Sequence, residues 1–125
     1  MSEEFVTGWE IDHDDRMRLL DELSPAYPYV VADHVTLRMH VGADAPLPPP
    51  VTGEIVGRAD DGSGVQAMVV RIDGTTDRPG GGTYHSTWSL GAGRDGIESN
   101  DVIAALGWTP LGSPLPVKLH PKRFG

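Results

Sequence analysis

The chain has no cysteine among its 125 residues. This absence excludes disulfide bonds, thiolate-ligated zinc and iron–sulfur clusters. No apolar run approaches the roughly 20 residues that are needed to cross a bilayer. Residues 1–5 are acidic and have no apolar core, so we expect no secretory signal there. These absences predict a cytoplasmic, soluble protein that does not bind a membrane.

Basic side chains are also scarce. The 10 Lys and Arg residues oppose 18 Asp and Glu residues, which gives a formal net charge of −8. Binding along a nucleic-acid duplex requires many Lys and Arg contacts to phosphate, so this charge argues against a long duplex as partner. A small phosphorylated ligand or an RNA terminus in a local pocket remains compatible with it. We interpret the one basic cluster, residues 118–123, as a solubilising C-terminus, with phosphate contact as the alternative.

Glycine and proline are abundant, with 16 and 11 copies, which indicates short elements joined by many turns. Helical spacing of apolar residues predicts a helix over 14–23 that ends at Ser24 and Pro25. A second helix is predicted over 102–106, with Ser99, Asn100 and Asp101 supplying its N-cap.

Extended apolar patterns predict the remaining elements. We expect strands over 30–41, 51–59, 65–72 and 84–90, and shorter extended segments over 108–111 and 115–119. Proline-rich residues 42–50 and glycine-rich residues 73–83 are predicted to be loops, and the second of them is a candidate lid. The sequence therefore predicts one α+β domain over residues 1–125.

Two predicted strands carry the same short pattern, His34-Val35-Thr36 in the first and His85-Ser86-Thr87 in the second. Side chains at positions i and i+2 of a strand point to the same face, so each pattern offers one imidazole and one hydroxyl together. Two such strands side by side would supply an acid, a base and two hydroxyl donors. This set suits hydrolysis or rearrangement of a phosphodiester. Two sheet histidines bonded to the backbone are the alternative that the spacing leaves open.

The two patterns resemble the H-x-[S/T]-x motifs of the 2H phosphoesterase superfamily, with residues 34–37 and 85–88 as the tetrads. Residues 83–90, followed by Ser99 and Asn100, look like the second-motif region of phosphodiesterase-like domains in RNA-repair and tRNA-ligase proteins. The motif histidines are 51 positions apart, closer than in the larger members of the superfamily. Trp88 also replaces the aliphatic residue that is common at the fourth position.

The resemblance implies a minimal bilobal α+β fold, with antiparallel sheets, flanking helices and a central cleft that receives one tetrad from each lobe. It implies a metal-independent phosphodiesterase, a hydrolase without a cofactor, in which His34 and His85 act as acid and base. Which histidine is the base stays open. Thr36 and Thr87 would donate hydrogen bonds to the phosphate oxygens. The implied substrate is a 2′,3′-cyclic phosphate or a related small phosphorylated ribose or RNA end.

Two other functions remain as alternatives. One is a non-catalytic module of the same fold that binds a nucleotide or an RNA end. The other is a structural accessory domain. Loss of melting temperature without ligand binding in the histidine variants would favour the accessory domain.

Several further residues have candidate roles. Arg38 shares strand parity with His34, which makes it a candidate phosphate contact, with a solvated strand end as the alternative. Tyr84 and Trp88 have the opposite parity to His85, so we predict that they pack in the core. We interpret His13, which lies among acidic residues, as a solvated helix start rather than a metal ligand.

Overall fold

The computed structural model describes residues 4–125, so residues 1–3 of the acidic N-terminal segment lie outside the described part. The described residues form seven strands and two helices. In chain order these are β1 (Phe5–Ile11), α1 (His13–Glu22), β2 (Tyr29–Val30), β3 (His34–Val41), β4 (Val51–Asp60), β5 (Val65–Arg71), β6 (His85–Leu90), α2 (Glu98–Leu106) and β7 (Thr109–Phe124). All strand pairs are antiparallel, which confirms the α+β prediction. Neither helix has the length and apolar character that a membrane crossing requires.

The strands form one continuous sheet in the order β2-β6-β5-β4-β7-β1-β3. Its two edge strands, β2 and β3, follow each other in the chain with only residues 31–33 between them. In this connection the backbone N–H groups of Val31 and Ala32 donate to Trp88 O and Thr87 O, both at 2.9 Å. The sheet therefore closes on itself beside β6. The described residues form a single sheet and not the two lobes that the resemblance implies.

A large apolar core lies on one face of the sheet and extends to α1. It contains Trp9, Val35 and Trp88 from the strands and Leu19 and Leu23 from the α1 region. The indole Nε1 of Trp88 donates to Leu23 O at 2.7 Å, which satisfies its polar atom inside the core. The interior position predicted for Trp88 is confirmed.

The opposite face of β4 and β5 is covered by α2. Val65, Ala67 and Val69 alternate along β5 with the residues of the first core, and they pack against Val102 and Ile103. This alternation means that both faces of β5 are buried. The α2 helix thus lies beside the face of β6 that carries His85, because His85 is opposite Val69.

The connection between β2 and β3 is bent and anchored to α1. Ala32 has a φ of 47°, in the left-handed region that non-glycine residues seldom adopt. Arg16 on α1 donates from Nε to Ala32 O at 2.9 Å and from Nη2 to Val31 O at 3.0 Å. These bonds stabilise the bend. The single strand predicted over 30–41 is therefore two strands that pair with different neighbours.

The N-terminal strand β1 was not predicted, and the two short segments at the C-terminus are one long strand, β7. The basic cluster at 118–123 belongs to β7, so it is part of a strand, and its Lys118, His120 and Lys122 side chains are exposed. Four prolines lie in β7, at positions 110, 114, 116 and 121. Residues 109–110 and 115–119 pair with β4 and residues 119–124 pair with β1, so the paired positions other than Leu119 have a ladder partner on one side only. A strand with one free side tolerates proline.

The second helix starts earlier than predicted. It begins at Glu98, and the proposed N-cap residue Ser99 is buried inside the first turn. Asp95 and Glu98 instead accept hydrogen bonds from the backbone N–H groups of Ile97 and Asp95, at 3.2 and 2.8 Å. The predicted capping by Ser99, Asn100 and Asp101 is therefore wrong, because all three lie inside the helix. The prediction of α1 is confirmed to within one residue at each end.

Candidate functional site

The strand pairing brings the two motif histidines together. Tyr29 lies opposite Leu90 and Val30 lies opposite Ser89, and the bonds of Val31 and Ala32 continue the same register. At this point β3 leaves β6 to pair with β1, and it remains in contact with β6. Both histidines line one cavity of about 630 Å³.

The His85 ring is mostly buried and has a defined tautomer. Its Nδ1 lies 2.7 Å from Thr83 O, and because a carbonyl only accepts, Nδ1 carries the proton. In the neutral ring Nε2 is then the unprotonated nitrogen. Burial lowers the pKa of His85 below its ordinary 6.5; the Thr83 bond opposes this shift, and the positive charges of Arg78 and His34 add to it. His85 is therefore neutral at pH 7.

The His34 ring is partly exposed and is held by a carboxylate. Its Nδ1 lies 2.6 Å from Asp33 Oδ1, and its ring packs on Phe124 with the centroids 5.0 Å apart. The hydrogen bond from His34 lowers the pKa of Asp33 against the opposing effect of burial, so Asp33 is ionised at neutral pH. With Nδ1 bonded to Asp33, Nε2 of His34 is the nitrogen left for a ligand.

The two motif threonines have different surroundings. Thr36 lines the cavity with His34. Thr87 is buried, and its Oγ1 lies 3.2 Å from Gly96 O and 2.8 Å from Ser99 Oγ. Because Gly96 O only accepts, Thr87 donates its hydroxyl proton there and Ser99 donates to Thr87. Thr87 also lines the cavity, and its hydroxyl fixes the entry to α2.

Arg38 does not lie beside the histidines, although strand parity predicts that it does. Thr36 is opposite Gly8 and Arg38 is opposite Thr7, so β3 contains one extra residue between them. Such a bulge reverses the alternation of side chains. As a result Met39 lines the cavity of the histidines, whereas Arg38 lines a neighbouring cavity of about 360 Å³.

Arg78 is the basic residue that sequence reasoning missed. It comes from the glycine-rich loop and lines both cavities. Its Nε donates to Gly81 O at 3.1 Å, which holds the guanidinium against its own loop. No periodic pattern predicts how a glycine-rich loop folds. The only signal for Arg78 in the sequence was its position close to the second tetrad. The first turn of α2 and the loop before it supply three more polar residues, Asp95, Asn100 and Asp101.

Two further residues that the sequence singled out lie outside the histidine pair. Tyr84 is buried, with its ring edge-on to Trp9 at 6.0 Å, so its predicted packing role is confirmed. His13 is exposed at the start of α1, where Asp12 caps the helix and accepts from His120 Nε2 at 2.9 Å. Within residues 4–125 no group of three or more His, Asp and Glu side chains is arranged to hold a metal ion.

No family model, curated protein or solved structure matches the chain. The similarity to 2H phosphoesterases therefore depends on the two tetrads. The structure adds one observation to the tetrads, which is a cavity between β3 and β6 that both motif histidines line.

Proposed function

We propose that the chain is a metal-independent phosphodiesterase of the 2H type that acts on a 2′,3′-cyclic phosphate of a small nucleotide or an RNA end. The observation that carries this proposal is the placement of His34 and His85 on one cavity, each with Nδ1 bonded to an acceptor. Two oriented imidazoles that present Nε2 can serve as acid and base for one reaction.

The unequal surroundings of the rings support an assignment of roles. Nε2 of neutral His85 accepts a proton from water as the water oxygen bonds to phosphorus. The bond from phosphorus to one ribose oxygen breaks, and that oxygen receives a proton from Nε2 of protonated His34. The reaction opens the cyclic phosphate to a monoester and restores both rings after one proton exchange with solvent. Ionised Asp33 keeps the His34 ring oriented throughout.

Thr36 and Arg78 are the proposed donors to the nonbridging phosphate oxygens. Both line the cavity of the histidines, and an arginine fork matches two phosphate oxygens. Thr87 then acts as a positioning residue, because its hydroxyl bonds Gly96 and Ser99. We extend the proposal to the fold: β3 and β6 would correspond to the two halves of a 2H cleft, joined here in one closed sheet.

The test is turnover of nucleoside 2′,3′-cyclic phosphates by the wild-type chain and by single variants. His34→Ala and His85→Ala are each expected to lower kcat by about 100- to 10,000-fold, because each removes one proton-transfer group. His13→Ala is the matched control, since His13 is exposed at the start of α1, outside the cavity. EDTA is expected to leave the wild-type rate unchanged.

Three results would overturn the proposal. One is a wild-type chain that consumes no cyclic phosphate, even if calorimetry shows that it binds one, since this describes a binding module. Another is a His34→Ala or His85→Ala variant with the wild-type rate. The third is a rate that EDTA abolishes and a divalent metal restores.

A further inference from the structure

A second cavity adjoins the one that holds the histidines, and its polar side chains are basic. It has a volume of about 360 Å³ and is lined by Arg38, His40 and Arg78 together with apolar and glycine residues. Met39 and Arg78 line both cavities, so the two are neighbours. Among the described residues that line the second cavity there is no Asp or Glu. In a chain of net charge −8, this is a local reversal of charge.

One side of this cavity is built by an irregularity in β3. Arg38 is opposite Thr7 and Val41 is opposite Phe5, so a second extra residue lies between them. His40 within this bulge has a φ of 56°. A bulge of this kind redirects side chains, and bulges are common next to functional sites. Arg38 and His40, on either side of Met39 in this irregular part of β3, both line the second cavity.

The other side is built by the glycine-rich loop, which is closed by its own hydrogen bonds. Arg78 N donates to Gly82 O at 3.0 Å, and Gly81 N donates to Arg78 O at 3.1 Å. The Arg78 side chain adds its bond from Nε to Gly81 O at 3.1 Å. Held in this way, the Arg78 side chain lines both cavities.

We infer that the second cavity binds a second phosphate group of the substrate, next to the phosphate that reacts. The inference rests on the proposed function for the reacting phosphate. Arg38 and His40 would contact the second phosphate, and Arg78 would lie between the two groups, since arginine and protonated histidine both donate charged hydrogen bonds to phosphate. The substrate is then a nucleotide with at least two phosphates rather than a nucleoside cyclic phosphate alone.

The test compares three ligands by calorimetry: a nucleoside 3′-phosphate, a nucleoside 3′,5′-bisphosphate and a dinucleotide with a 3′-phosphate. At least one ligand with two phosphates is expected to bind the wild-type chain on the order of tenfold more tightly than the ligand with one. Whether the bisphosphate or the dinucleotide shows the gain identifies the second phosphate as a 5′-phosphate or as an internucleotide linkage.

Arg38→Ala is expected to remove the gain, so that the ratio of the Kd values falls to about one. Arg38 is exposed, so this variant is expected to fold. Arg58→Ala is the matched control, because Arg58 is also exposed on a strand and lines neither cavity. It changes the net charge equally and is expected to keep the wild-type ratio.

The inference is overturned if neither ligand with two phosphates binds the wild-type chain more tightly, if Arg38→Ala keeps the gain, or if no ligand binds. The turnover assay separates the two proposals. A gain that depends on Arg38 without any turnover of cyclic phosphates supports the two-phosphate site and overturns the phosphodiesterase. Turnover of cyclic phosphates without a gain in affinity from the second phosphate supports the phosphodiesterase and overturns the two-phosphate site.

Discussion

The two motif histidines differ in their environments although their sequence contexts look alike. His85 is mostly buried and bonds a backbone carbonyl, whereas His34 is partly exposed and bonds the Asp33 carboxylate. Burial disfavours the charged form of His85. At the scale of the residue, this asymmetry distinguishes the proposed base from the proposed acid.

The lowered pKa of His85 predicts a measurable effect on stability. Between the folded pKa and 6.5 the unfolded chain binds the proton more readily, so the free energy of unfolding decreases as the pH falls below 6.5. Above 6.5 the contribution is fully present. His85→Gln removes the titrating group, so its free energy of unfolding should fall less between about pH 7 and pH 5 than that of the wild type.

Urea denaturation at a series of pH values measures this difference. His13→Gln serves as the control, because it replaces an exposed histidine and leaves His85 in place. Parallel curves for the wild type and His85→Gln would show that burial does not shift the titration of His85.

Patterns of single residues in the sequence predicted part of the candidate site. The residues of both tetrads that line the cavity share strand faces, and strand parity is a local property that the sequence displays. Arg38 was misplaced because one extra residue in β3 reversed that parity. Arg78 was missed because its position depends on the folding of a glycine-rich loop.

At the scale of the element, the site depends on how closely β1 approaches β3. A Cβ added to Gly8 would lie only 2.2 Å from Val35 O, well inside van der Waals contact. Gly8 is opposite Thr36, within the first tetrad. The absence of a side chain at Gly8 therefore allows the pairing that holds β3 in place.

Gly8→Ala is expected to lower the free energy of unfolding by about 2–4 kcal/mol, because the backbone of β3 must move to admit the methyl group. Gly112→Ala is the matched control. Gly112 also lies in a strand, and a Cβ there would meet nothing within 4 Å. Urea midpoints check the prediction, and equal midpoints for the two variants would contradict it.

Elements with a strong local pattern were predictable, and elements defined by distant partners were not. The α1 helix and the strands β4 and β5 follow from apolar periodicity. The β7 strand was fragmented in the prediction because its prolines argue against a central strand. Only the alternation of its partners, first β4 and then β1, explains why these prolines are tolerated.

At the scale of the whole molecule, the site exists because the sheet closes on itself. Residues 29–32 bond to β6 and residues 34–41 bond to β1, so one bent segment joins the two ends of the sheet. Both histidines line the cavity beside the point where this segment leaves β6. No local pattern shows this long-range pairing, which is why the sequence predicted two neighbouring histidine strands but not the single closed sheet.

The central claim is that His34 and His85 act as acid and base on one phosphoryl group, and the pH dependence of kcat/KM tests it most directly. For a nucleoside 2′,3′-cyclic phosphate the wild type should give a bell-shaped profile, with an acid limb below 6.5 set by the lowered pKa of His85. The residual activity of His85→Ala should lack the acid limb, and that of His34→Ala should lack the alkaline limb. A bell-shaped profile in either variant would contradict the assignment of His34 and His85 as acid and base.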